Sequence, residues 1–186
     1  MEKLDEFRRW YGKTRENACA IDLEMQKFDK DIAVCGMSWL RNGMPEYRSL
    51  IHNQNLSKKN LKQYLKYAKA ILTFNGNWHD IPKIEEEFGR ILPARARHFD
   101  LYEISGLLGY RCSLQRLEAM LGIERKEEIR TGAIRLWQRY KATGRTKYLQ
   151  QLLTHNYYDT TNLHKLADKL WKMANENYGG GQVISK

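Results

Sequence analysis

Ala18-Cys19-Ala20-Ile21-Asp22-Leu23-Glu24-Met25 is the stretch that decides the fold. An apolar run of this length reads as a buried strand near the middle of a sheet. Side chains alternate along a strand, so Cys19, Ile21, Leu23 and Met25 share one face while Asp22 and Glu24 point together from the other. Two like charges this close in a central strand repel each other and lose hydration, which raises both pKa values. A divalent cation removes both penalties and gains the oxygen ligands it prefers. An acidic pair exposed at a strand end has the same spacing, so the rest of the chain must decide between the two.

Toward the N-terminus, residues 1–12 read as a short amphipathic helix ending at Gly12, which makes residues 1–17 a helical extension. Toward the C-terminus, Asp29-Lys30-Asp31 is a turn, 32–40 a second strand, Arg41-Asn42-Gly43 a turn with Asn-Gly chemistry, and 46–51 a third strand. These three strands form an antiparallel meander. Ser57 has the chemistry of an N-cap for a helix with Leu61, Leu65 and Ala68 on one face. Residues 70–74 then form a short strand ended by Asn75-Gly76, 80–88 a helix, and 96–99 a fifth strand. Helices over about 101–109, 113–121, 132–142 and 146–174 follow, and Gly179-Gly180-Gly181 marks a flexible tail over 176–186. This is the element order of a ribonuclease-H-like fold. The expected class is α/β, with a mixed five-stranded sheet flanked by helices and one domain over 18–175.

At 186 residues the chain is long enough for one domain with a substantial core. No apolar run approaches the roughly 20 residues of a membrane span, and the charged N-terminus is unlike a secretory signal. Cys19, Cys35 and Cys112 are an odd number without close pairing. That argues against a disulfide framework or a zinc knuckle and fits a reducing, cytoplasmic setting. The charge says more: 32 Lys and Arg stand against 22 Asp and Glu, a net +10. Between Tyr110 and Tyr148 there are ten Lys/Arg and four Glu, so +6 of that charge lies in one stretch. Such a balance suits a polyanionic partner, nucleic acid first, although a solvated helical face has the same composition.

Two further carboxylates stand in settings where a bare charge is costly. Asp80 follows Phe74-Asn75-Gly76-Asn77-Trp78-His79 and precedes Ile81-Pro82. It can cap the next helix, and a helix start behind a strand is also where α/β sites present ligands. Asp159 is the stronger case. Steps of three and four from Leu152 run through His155, Asp159, Leu163, Leu166 and Leu170, which places an aspartate on an apolar stripe in mid-helix. His155 lies one turn earlier on the same face, and a structural His–Asp contact is the plain alternative. Asp100 ends the fifth strand and can cap the following helix; it and Asn75 are candidates for supporting the ligands rather than for binding metal.

Together these residues resemble the DEDD (DnaQ-like) nuclease superfamily, whose members are mostly 3′→5′ exonucleases on a ribonuclease-H-like fold. The nearer resemblance is to the YprB-like group and runs from Ala20 to Leu170. It is carried by Ile-Asp-Leu-Glu at 21–24, Thr-Phe-Asn-Gly at 73–76 with Asp80, and His-Phe-Asp-Leu at 98–101. It continues through Ser-Leu-Gln-Arg-Leu-Glu-Ala-Met-Leu-Gly-Ile at 113–123, Gly132 to Tyr140, and His-Asn-Tyr-Tyr-Asp-Thr-Thr-Asn-Leu at 155–163. Each piece is weak, but their order and spacing are specific.

The resemblance implies a metal-dependent nuclease in which Asp22, Glu24, Asp80 and Asp159 hold two Mg²⁺ or Mn²⁺ ions, with Asp22 bridging them. His155 would orient or deprotonate the attacking water. One departure stands out. The superfamily usually places a tyrosine four residues before the last aspartate or a histidine five before it, and here His155 lies four before Asp159. The basic residues between Arg111 and Lys147, among them Arg130, Arg135 and Arg139, would hold the backbone, with Trp137 or Tyr140 stacking on a base. The expected partner is DNA or RNA with a single-stranded end, and a membrane is not expected. Two other readings use the same residues: a nucleic-acid-binding module on a degenerate nuclease fold, and a structure-specific endonuclease.

Overall fold

The computed structural model describes residues 2–27, 31–126 and 131–179, with side chains as far as Glu176. Strands β1 (Ala18–Met25), β2 (Ile32–Arg41), β3 (Met44–Ile51), β4 (Ala70–Thr73) and β5 (Arg97–Asp100) form one sheet in the order β3-β2-β1-β4-β5. The β1–β2 and β2–β3 pairs are antiparallel, and β4 runs parallel to both β1 and β5. Asn42 and Gly43, both at positive φ (53° and 77°), make the tight β2–β3 turn that their chemistry predicts. The class is the expected one: an α/β, ribonuclease-H-like mixed sheet covered by helices.

The helices are α1 (Glu2–Thr14), α2 (Lys58–Leu65), α3 (Asp80–Phe88), α4 (Leu101–Leu107), α5 (Leu114–Met120), α6 (Ala133–Thr143) and α7 (Thr146–Gly179). Alternation along the strands divides the core. On one face, Cys19, Ile21, Cys35, Met37 and Ile71 pack against Leu61 and Leu65 of α2 and Ile84 of α3. On the other, Leu163, Leu166, Ala167 and Leu170 of α7 lie over Ala18, Ala20, Ala70 and Leu72. Small alanines at the sheet surface let so long a helix approach closely. Leu136 and Trp137 of α6 and Leu152 of α7 cover Ala33, Val34 and Ile51 beyond them.

Several boundaries differ from expectation. Gly12 does not end α1, which continues to Thr14. A Cβ at Gly12 would lie 2.7 Å from the Trp171 ring, so the glycine serves close packing rather than a stop. The N-terminal segment is tied to the core: Tyr11 Oη donates to Asp168 Oδ1 at 2.9 Å, and Arg15 donates to both oxygens of Asp168 at 2.7 Å. Strand β3 starts two residues before the expected 46, and α7 runs five residues past the expected 174. Residues 176–179, expected in a flexible tail, are helical, and the rest of that tail, like Asp29 and Lys30 of the expected turn, lies outside the described residues. Ser57 caps α2 as expected, accepting from the Asn60 amide at 3.3 Å. Among the described residues no helix is long and apolar enough to cross a membrane.

One topological feature creates the site. Strand β4 pairs with β1 only along Ala18–Ala20 and ends at Thr73. Beyond that point β1 has no strand neighbour on the β4 side among the described residues, and the chain turns across the gap through residues 74–79 into α3. Crevices of this kind at the carboxyl ends of parallel strands are where α/β folds bind ligands.

Candidate active site

Asp22 and Glu24 leave β1 toward α7. Asp22 Oδ2 accepts a hydrogen bond from Asn156 Nδ2 at 2.7 Å, and the same amide donates to the Asp22 carbonyl at 3.2 Å. On its other side Asn156 Oδ1 accepts from the Tyr47 hydroxyl at 2.8 Å. The phenol fixes which end of the amide faces Asp22. Gly36, opposite Asp22 on β2, provides the space, because a Cβ there would lie 1.8 Å from Asn156 Oδ1.

Asp80 is the first residue of α3, and its Oδ1 accepts from the Leu23 amide at 3.0 Å. The aspartate therefore ties the helix start to β1; His79 occupies the capping position before it. Asp100 supports this arrangement from behind. Its carboxylate accepts from the amides of Asn75 at 2.8 Å, Asn77 at 3.0 Å and Tyr102 at 3.0 Å, so it both caps α4 and pins the loop that carries Asp80. Asn75 holds a left-handed φ of 63° that starts the turn. Neither Asn75 nor Asp100 belongs to the group of candidate metal ligands around Asp159.

Asp159 and His155 project from α7 one turn apart, with Nε2 3.2 Å from Oδ2. Glu24 joins them: ligand atoms of Glu24, His155 and Asp159 all lie within 4.8 Å of one another. The remaining Asp159 oxygen accepts from Arg125, which also grips Glu118 at 2.8 and 3.1 Å. Arg125 thus points inward and is not one of the backbone-holding cations expected of residues 111–147. Its side chain is only 12 % exposed.

The electrostatics follow from this crowding. Burial pushes Asp22 well above the usual carboxylate range, and the charges of Asp159, Glu24 and Asp80 push it further, against the opposing Asn156 hydrogen bond. Burial also pushes Asp80 up to about 7, despite its backbone hydrogen bonds. These carboxyls resist ionisation where they stand, and a bound cation is the natural compensation. The donors are hard oxygens with one imidazole, which fit Mg²⁺ or Mn²⁺. Glu24, Asp159 and His155 offer one close ligand group, with Asp22 and Asp80 beside it.

A family model described as RNase_H superfamily matches residues 19–171, from the first turn of β1 through most of α7. The chain belongs to the RNase_H superfamily. No curated protein matches it. Membership points to nuclease-type chemistry on nucleic acid, with divalent metal ions as the usual cofactor, and the match takes in every candidate ligand.

In this RNase_H-superfamily chain the expected backbone-binding residues separate. Arg135 lines a cleft of about 1020 Å³ together with Glu24, Lys27 and His79, and so stands beside the carboxylates. Arg139 is exposed one turn further along α6, its guanidinium 5.8 Å from the Tyr148 ring. Tyr140 is half-buried and tilted against Trp137, ring centres 5.6 Å apart. Trp137 itself is only 3 % exposed and packs into the core, so it is no stacking platform. Its place on α6 was legible, but the inward direction depends on Ala33, Val34 and Ile51 beneath it. Arg130 lies outside the described residues. Asn156, Tyr47 and Arg125 were not foreseen. A glycine in mid-strand at 36 is the sequence signal that a partner's side chain comes close. Arg125 offers no comparable signal.

Proposed function

We propose that this chain is a metal-dependent 3′→5′ exonuclease of the DEDD type, nearest the YprB-like group, acting on single-stranded ends of DNA or RNA. The observation that carries this reading is the convergence of four acidic side chains, buried or nearly so, from β1, α3 and α7 on one crevice. Asp22, Glu24, Asp80 and Asp159 would hold two Mg²⁺ or Mn²⁺ ions. When bound, such a pair supplies charge neutralisation at the scissile phosphate and a lowered pKa for water.

The protein's own groups do the rest. Asn156 holds one oxygen of Asp22 and leaves the other for a ligand. Asp100 fixes the loop that sets Asp80. His155, beside Glu24 and Asp159, would orient the attacking water or accept its proton. Arg135 lies where the backbone of a strand entering the crevice would pass, and Arg139 continues the same helical face outward.

The test is incubation of 5′-labelled single-stranded DNA and RNA with Mg²⁺ or Mn²⁺, followed by gel analysis. A ladder shortening one nucleotide at a time from the 3′ end is expected. One discrete internal product would favour a structure-specific endonuclease, and binding without cleavage in either ion would favour a binding module.

A further inference from the structure

Trp78 stands two residues before Asp80 and is 75 % exposed. Among the described residues its indole meets no other ring and no cation. Trp10 lies under Arg97, Trp39 against Tyr64, Trp171 against Tyr11, and Trp137 is buried. A ring of this size left open at the rim of a site is free to stack on a ligand that enters it.

The loop that carries it is held firmly. Asp100 takes the amides of Asn75 and Asn77, and the Ile81 amide donates to the Gly76 carbonyl at 3.0 Å. Gly76 sits so close to Thr73 that a Cβ would lie 2.4 Å from its side chain. An aromatic ring on a pinned loop can be used with little loss of backbone entropy.

Trp78 borders a cleft of about 240 Å³ with Leu23, Met25, His79 and Asp80. Leu23, Met25 and His79 also line the larger cleft that contains Glu24, Lys27 and Arg135. The two clefts therefore join through Leu23, Met25 and His79, which link Glu24 to the indole. Lys83, paired with Glu86 at 2.8 Å, lines the Trp78 end, and the exposed cations Lys27 and Arg135 line the Glu24 side. A groove with an open ring at one end and cations along it suits a chain of flat bases on a phosphate backbone.

We propose that Trp78 is the stacking platform for a nucleobase next to the scissile bond. Lys27 and Arg135 face the neighbouring phosphates across the continuous cleft. Every base has a π face, so this contact grips single strands without reading their sequence. The assignment rests on the reading of the crevice as a nucleic-acid site.

The experiment compares wild type, Trp78→Phe and Trp78→Ala by fluorescence anisotropy at low salt in EDTA. The probes are a labelled 15-nucleotide oligo(dT) and versions with a single abasic residue at each of the last four 3′ positions. Trp78→Ala is expected to weaken binding of the intact strand on the order of 10- to 100-fold, and Trp78→Phe by less. One abasic position should weaken the wild type without weakening Trp78→Ala further. Equal affinity of wild type and Trp78→Ala overturns the assignment, as does an equal loss in both proteins at every abasic position. A wild type that binds no oligonucleotide either in EDTA or with Ca²⁺ in place of the catalytic ion removes the nucleic-acid reading and Trp78's role with it. Cleavage of the intact strand in Mn²⁺ is scored separately, so failure of the nuclease reading and failure of the stacking role are told apart.

Discussion

Asn156 sits between a phenol and a carboxylate, and that pairing gives Asp22 a defined direction. The Tyr47 hydroxyl donates to Oδ1, which leaves only N–H groups to face Asp22. Asn156→Ala would take an acceptor from the half-buried Tyr47 hydroxyl and the donor from one Asp22 oxygen, at an expected stability cost of about 1–3 kcal/mol. It should also weaken Mn²⁺ binding, about 10- to 100-fold for loss of a group that orients a ligand. A calorimetric Mn²⁺ titration giving wild-type affinity would contradict this role. A second prediction comes from the acids themselves. With Asp80 near 7 and Asp22 raised as well, the metal-free site holds protons at neutral pH that a cation must displace. Apparent cation affinity should therefore climb as pH rises through about 7. Calorimetry in buffers of different ionisation enthalpy should show net proton release, and a pH-independent affinity with none released would refute it. The carboxylates were legible because each is a local misfit: a charge pair on an apolar strand, an aspartate on an apolar helical stripe. Asn156 raises no such alarm in sequence, because its burial depends on Gly36 across the sheet.

Helix α7 carries His155, Asn156 and Asp159, and its docking on the sheet sets where all three point. Part of that docking is polar. His164 Nε2 lies 3.1 Å from both the carbonyl and the hydroxyl of Ser38 on β2. Burial holds the imidazole largely neutral, its pKa pushed down to about 4. An unfolded histidine titrates near 6.5. Between pH 6.5 and 4 the unfolded chain thus binds the extra proton, and stability falls as pH falls through that window. His164's share of that loss should be about 2 kcal/mol between pH 7 and pH 5 by linkage, while the raised Asp80 and Asp22 act in the opposite direction in the metal-free protein. The share is read as the difference between wild type and His164→Gln in the pH dependence of urea unfolding; a variant with the wild-type dependence would contradict it. At this scale the reading from sequence was nearly complete. Period-two runs marked the strands and period-three-to-four runs marked the helices. It failed where tertiary packing overrides a local signal, as at Gly12, whose missing side chain admits Trp171 instead of ending α1.

The whole molecule carries a net charge of +10 and a crevice lined with carboxylates. That pattern suits a surface that collects a polyanion and a centre that needs cations to receive it. If Arg135 and Arg139 neutralise phosphates, affinity for oligonucleotides should fall steeply with salt. Changing both to Glu should weaken binding to all sequences alike and lower the salt slope. An unchanged slope would make that face of α6 merely solvated. The direction of each basic or aromatic side chain was the least legible feature, because composition cannot say that Arg125 and Trp137 turn inward while Arg135 and Trp78 face solvent. If the carboxylates of β1, α3 and α7 form a cation-dependent centre for phosphodiester cleavage, a labelled single strand followed with wild type, Asp22→Asn and Asp159→Asn, in Mn²⁺ and in excess EDTA, decides it. Cleavage by wild type in Mn²⁺ alone is expected, with both folded variants at background; full wild-type cleavage in EDTA, or undiminished cleavage by either variant, would rule that centre out.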